Sequence, residues 1–99
     1  MPAYVFVNVE IRDPGRYPDY IQVAPDSIRQ YGGRYLARGG RAETLEGEWQ
    51  PSRVVLLEFP SLERAREWWA SEEYRDPKAL RQATAHTQMI AVEGLATPL

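Results

Sequence analysis

Three stretches of this chain are apolar on both sides of an extended backbone, so a sheet built from them has two faces to hide from water. In AYVFVNVEIR, residues 3–12, alternation puts Ala3, Val5, Val7, Val9 and Ile11 on one face. The other face opens with Tyr4 and Phe6 and turns polar at Asn8, Glu10 and Arg12. In SRVVLLEFP, residues 52–60, Val55, Leu57 and Phe59 point one way and Val54 and Leu56 the other. In TQMIAVEG, residues 87–94, Ile90 and Val92 oppose Met89 and Ala91. Helices of the same chain cover one side of such a sheet. Soluble domains rarely leave apolar patches beyond about 300–600 Å² exposed, so the second side calls for another layer.

The helical segments lie between these strands. Tyr17, Tyr20, Ile21, Ala24, Ile28 and Tyr31 recur at helical spacing. Pro18 suits a first turn, and Pro25 predicts a kink near Ala24. Gly32 is a natural left-handed stop. Ser61 is an N-cap for LERAREWWASEEY, with Leu62, Ala65 and Trp69 as its inner stripe and Trp68 flanking it. DPKALRQATAH then restarts a helix, with Asp76 as cap and Pro77 at its first position. A phosphate loop reads strand, glycines, helix, but GGRYLARGG follows a helix and lacks the usual glycine spacings. It reads instead as a strand through Tyr35 and Leu36 that bends at Gly39-Gly40 and resumes through RAETLEG.

The order strand, helix, strand, strand, broken helix, strand is the βαββαβ, split βαβ pattern. It predicts an α+β, ferredoxin-like fold with an antiparallel sheet and helices on one face. At 99 residues the chain is one domain, taken as residues 1–95 with a tail at 96–99. The absence of cysteine excludes disulfides, thiolate chemistry and zinc–sulfur sites, and suits a cytoplasmic setting. A net charge of −2 argues against a nucleic-acid partner. No apolar run approaches the ~18 residues of a membrane span, and the start MPAYVFVNVE lacks the features of a signal peptide. One histidine alone makes no multi-histidine metal site, and no cofactor is expected.

Taken together, GGRYLARGG, LEGEW, RVVLLEFPS, the aromatic pattern around Trp68, Trp69 and Tyr74, and the closing VEG resemble the bacterial domain-of-unknown-function family 1330. The resemblance runs from Tyr4 to Gly94. It implies a dimeric α/β-barrel, in which two ferredoxin-like sheets pack face to face. Relatives in the wider superfamily include cofactor-free monooxygenases, heme-handling proteins and muconolactone isomerase-like enzymes. Such a fold hosts unrelated activities, so the residues must argue for the function.

His86, at the predicted end of the second helical region, suits a general base, a metal ligand or a cap of last-turn carbonyls. Arg81, slightly more than one turn earlier, can join it on an anionic substrate or pair with a surface carboxylate. Tyr74 carries a hydroxyl able to orient or protonate a substrate, and Trp69 supplies either a core contact or a pocket wall. Arg38, four residues after Arg34, can bind a carboxylate or be solvated. Asn8 is expected near the polar rim or a cavity of the second sheet face, because burying it without partners would cost roughly 2–7 kcal/mol. The reading is a homodimer that binds a small metabolite between sheet and helices, through Tyr74, Arg81, His86, Asn8, Arg38 and Trp69. It is either a cofactor-free enzyme or a non-catalytic binding or sensing module. A third alternative is a tautomerase using Pro2 as an N-terminal base.

Overall fold

The computed structural model describes residues 1–97, so the last two positions of the expected tail lie outside the described residues. The strands are β1 (Ala3–Ile11), β2 (Arg34–Arg38), β3 (Val54–Phe59) and β4 (Ala85–Glu93), and the helices are α1 (Tyr17–Gln30), α2 (Leu62–Trp69) and α3 (Glu72–Thr84). The strands form one antiparallel sheet in the order β2-β3-β1-β4. This is the βαββαβ arrangement that alternation and helical spacing predict, with the second helix broken into α2 and α3.

The register sets the two faces. Ala3, Val5, Val7 and Val9 of β1 and Val55, Leu57 and Phe59 of β3 are buried under the helices. The helices supply Tyr17, Ala24 and Ile28 from α1, Ala65 and Trp68 from α2, and Tyr74 from α3. The reverse face carries Tyr4, Phe6, Val54 and Leu56, all half-buried, and Ile90 and Val92, both exposed. Helices thus cover one side of the sheet and leave the other open.

Several boundaries differ from the sequence reading, each for a physical reason. The break between α2 and α3 falls at Ala70 and Ser71, not at Asp76. The Ser71 hydroxyl accepts the Tyr74 N–H at 3.1 Å, so Ser71 is the N-cap and Pro77 lies inside α3. Trp68, not Trp69, is the inner tryptophan. Its indole N–H donates to Ser27 Oγ at 3.1 Å, whereas Trp69 is 44% exposed beneath Lys78 Nζ. The Ser61 cap stands, accepting from Arg64 N. Pro25 lies inside α1, as the sequence reading places it. His86 does not end a helix: β4 begins at Ala85, and His86 pairs in register with Glu10.

β2 does not resume after Gly39-Gly40. Its bulge lies between Tyr35 and Ala37. Gly39, at φ +70°, then turns the chain out of the sheet, and residues 41–50 are exposed. Trp49 returns to the open sheet face, 5.8 Å from the Phe6 ring. At the other end of β2, Gly32 ends α1 with φ +77°, the left-handed stop expected of it.

The two candidate caps make distinct predictions. Ser71→Ala should cost about 1 kcal/mol, the usual loss for a hydroxyl N-cap. Asp76→Ala should fall within about 0.5 kcal/mol of zero, as an ordinary surface change does. Urea denaturation midpoints of the two variants check this.

Candidate functional site

Two cavities meet under the helices. A groove of about 530 Å³ runs between α2, the end of α3 and the edge strand β4. A slot of about 30 Å³ lies deeper, between the sheet and α1. Trp68, Arg81 and Met89 line both, so they form the partition.

Arg81 is the central residue. It occupies the inner stripe of α3, seven residues after Tyr74, and is only 4% exposed. Its Nε–H donates to the Tyr74 hydroxyl at 3.1 Å, and that hydroxyl lies 2.7 Å from the hydroxyl of Tyr20. No carboxylate pairs with Arg81 among the described residues. Burying an unpaired guanidinium costs several kcal/mol by the usual reckoning, so a purely structural role accounts poorly for it.

The arginines sort by location. Arg12, Arg29, Arg34, Arg41, Arg64 and Arg75 each face a carboxylate within 3.8 Å, and none lines a cavity. Arg38, Arg53, Arg66 and Arg81 have no carboxylate partner among the described residues, and each lines the groove or the slot. Arg16, exposed at the start of α1, is the remaining arginine without an acidic partner there. No Asp or Glu lines either cavity. Both cavities therefore carry positive charge among the described residues; the groove wall mixes polar and apolar surface, and the slot wall is mainly apolar with the arginines at its margin.

The sequence-predicted residues divide between these features. Arg81, His86 and Trp69 line the groove, while Arg38 and Arg81 line the slot. Tyr74 is fully buried behind Arg81 and reaches neither cavity. Asn8 lies on the open face of the sheet, where its Oδ1 accepts the Ser52 N–H at 2.9 Å. Pro2 borders neither cavity, and its carbonyl accepts the Gly94 N–H at 2.7 Å. Arg38 lies over the Tyr35 ring at 4.7 Å.

Sequence reasoning missed Tyr17, Tyr20, Tyr35 and Arg53, all lining the slot. Arg53 carried a readable signal: two residues before Val55, it continues the inward face of β3 by simple alternation. Its Nε is buried without a hydrogen-bond partner among the described residues, as is Thr87 Oγ1 beside the groove.

Burial raises the pKa of Tyr20 strongly, and the neighbouring Tyr74 adds to the shift. Burial also raises Tyr17 and Tyr35, with Arg53 and Arg38 respectively opposing it. These hydroxyls remain protonated donors at neutral pH. The linkage has a definite sign. Unfolded tyrosines ionise near pH 10, while the folded chain holds these protons to higher pH, so the unfolded state binds fewer protons above that point. The stability they contribute is complete below about pH 10 and is lost as pH rises toward the folded values. Denaturation midpoints should therefore hold level between pH 7 and 9 as far as these tyrosines are concerned, and fall steeply by pH 11.

Comparisons with known proteins agree with the fold. The chain resembles a protein of unknown function from Rhodopseudomonas palustris at 21% identity, with TM-score 0.76 over 97% of this chain and 84% of that one. A dimeric ferredoxin-like protein of unknown function from Jannaschia sp. CCS1 matches with TM-score 0.70 at 11% identity, over 95% of this chain and 100% of that one. SnoaB, a cofactor-independent oxygenase from Streptomyces nogalater, matches with TM-score 0.64 at 9% identity, over 97% and 95% of the two chains. Identities this low carry the ferredoxin-like fold and nothing finer. A search of curated protein sequences gives no match. The profile of a domain of unknown function, DUF1330, matches residues 2–95, and the chain belongs to that family.

Proposed function

We propose that this protein is a homodimer that binds a small organic anion with an apolar or aromatic body, and that Arg81 anchors the charge. The observation that carries this reading is the sorting of the arginines. Those on the outer surface that face carboxylates stay clear of the cavities, and the four that line the cavities lack such partners. An anionic ligand completes the missing pairs, and a guanidinium presents a planar fork suited to a carboxylate. Leu62, Trp68, Trp69 and Met89 give the groove an apolar wall, and a volume of about 530 Å³ lies within the usual range for small-molecule pockets.

A second reading, cofactor-free catalysis, draws on His86, which is exposed on the edge strand β4 opposite Glu10 and borders the groove that Arg81 also lines. An imidazole beside an anion anchor is the pairing needed to take a proton from a bound carbon acid. The binding and catalytic readings separate in one experiment. A panel of aryl and alkyl carboxylates is screened by thermal shift, where a ligand at ~100 times its dissociation constant adds ~2.7 kcal/mol. Arg81→Met should weaken any hit at least tenfold, and an unchanged affinity would refute the anchor. His86→Ala should leave affinity intact and abolish turnover if the protein is an enzyme; a hit never consumed by the unmodified protein marks a binding module.

Self-association rests on the open side of the sheet. Tyr4, Phe6, Leu56, Ile90 and Val92 lie on a face without helices. The Jannaschia neighbour of the same fold is described as dimeric. An isologous contact between two such faces hides both, and a stable one buries about 1,000 Å² or more. Phe6→Asp puts a charge at its centre. In sedimentation at micromolar concentration the unmodified protein should run as a dimer and Phe6→Asp shift to monomer; a monomeric unmodified protein would overturn the dimer.

A further inference from the structure

We propose that the slot receives the carboxylate of the ligand, so that groove and slot together bind an amphipathic monocarboxylic acid head-first, with Tyr20 and Arg53 selecting the head. This rests on the organic-anion reading of the groove and adds where the charged end goes and which residues choose it.

The first argument is the direction of a hydrogen-bond chain. Arg81 Nε–H can only donate, so the Tyr74 oxygen accepts from it. Tyr74 is fully buried, and its only other hydroxyl partner among the described residues is Tyr20. A buried hydroxyl proton without an acceptor is costly, so Tyr74 donates to Tyr20 rather than the reverse. The Tyr20 proton is then left over. Tyr20 lines the slot, and burial keeps its hydroxyl protonated. On that direction its O–H is a donor with no acceptor among the described residues.

The second argument is Arg53. It extends the inward face of β3 to the slot, where its guanidinium lies 5.9 Å from the Tyr17 ring and its Nε has no hydrogen-bond partner among the described residues. The chain makes space for this guanidinium at Gly39. A Cβ there would collide with Arg53 Nη1, and φ of +70° disfavours any side chain at that position. The second half of GGRYLARGG thus makes structural sense as the seat of a slot arginine.

The third argument is size. About 30 Å³ accommodates one or two water-sized groups. That matches the two oxygens of a carboxylate and is too small for a ring or for the four oxygens of a phosphate. Arg38, Arg53, Arg81 and Tyr20 all donate, and a carboxylate only accepts, through about four lone-pair directions. The body then lies in the groove, past the shared wall of Trp68, Arg81 and Met89, of which Met89 is unbranched and readily repositioned.

The test is calorimetric titration of the full chain with 4-phenylbutyrate, with its neutral amide 4-phenylbutanamide, and with inorganic phosphate. The unmodified protein should bind the acid at least tenfold more tightly than the amide, and phosphate should not displace the acid. Arg53→Met should cut affinity for the acid tenfold or more, and Tyr20→Phe about fivefold. Both should leave the amide nearly unchanged, so the acid-to-amide ratio collapses, which a merely structural loss would not produce. Should Arg53→Met fail to fold, Arg53→Lys is read by the same ratio, since it keeps the charge and removes the Nε donor. If Arg53→Met and Tyr20→Phe keep the ratio while Arg81→Met loses it, the head sits in the groove: the slot proposal falls and the anion-binding reading stands. If no tested carboxylate binds the unmodified protein at millimolar concentration, or acid and amide bind equally, both fall.

Discussion

Tyr74 ties the helical layer together, and the rest of the interior is arranged around it. Its ring packs against Trp68 of α2 with centroids 4.2 Å apart. Its hydroxyl is 2.7 Å from that of Tyr20 on α1 and accepts from Arg81 on its own helix. One fully buried side chain thus links three helices, and it holds a charged group at the sheet side of α3 instead of letting it reach water. Such a network is sound only when each polar atom has a partner. The one group it leaves without a carboxylate is the Arg81 guanidinium, and the two cavities meet there.

Much of this architecture is legible in the sequence, because it depends on local periodicity. Alternation in residues 3–11 and 54–59 identifies both the strands and the face each turns to the helices. The apolar reverse face, read from Tyr4, Phe6, Leu56, Ile90 and Val92, is present as expected. The misreadings come where two local signals compete. Asp76-Pro77 is a strong helix start, yet Ser71 caps five residues earlier, and Pro77 is tolerated within α3 because Tyr74 and Trp68 hold that turn in the core. Trp68 and Trp69 are adjacent, so spacing alone decides weakly between them, and the indole bond to Ser27 that settles it spans 41 positions. The path of residues 41–50 is set by the left-handed turn at Gly39 and by Trp49 reaching the Phe6 ring, neither of which has a periodic signature.

The candidate site was legible only in part, for a related reason. Arg81, Arg38, His86 and Trp69 stand out by residue type, and each lines a cavity. Asn8 stands out equally but belongs to the opposite face of β1, where it holds the Ser52 amide. Arg53 and Tyr20 look ordinary, because an arginine before a strand and a tyrosine on a helix are common on surfaces. Their meaning lies in what they lack. An enclosed guanidinium nitrogen with no partner among the described residues, and a tyrosine pair that shares one hydrogen bond, emerge only from a full count of donors and acceptors in three dimensions.

That count also bears on how a fold shared across very different sequences acquires a particular ligand. The ferredoxin-like frame recurs here at identities of 9–21%, so the frame cannot select a substrate. Selection falls to side chains that the frame does not need. An arginine just before β3 could be replaced by an apolar residue with a gain in stability, since a half-buried guanidinium with an enclosed, unbonded Nε is a cost to folding. Gly39 adds to that cost, because its loss of conformational freedom on folding exceeds that of any residue with a side chain. Gly39 also serves the left-handed turn out of the sheet, and Arg53 lies over the Tyr17 ring at 5.9 Å, so what the frame leaves open at this corner is a carboxylate partner for Arg53 among the described residues. A stabilising Arg53→Met that leaves the fold intact would be the natural counterpart of its loss of affinity, because the same missing partner accounts for both.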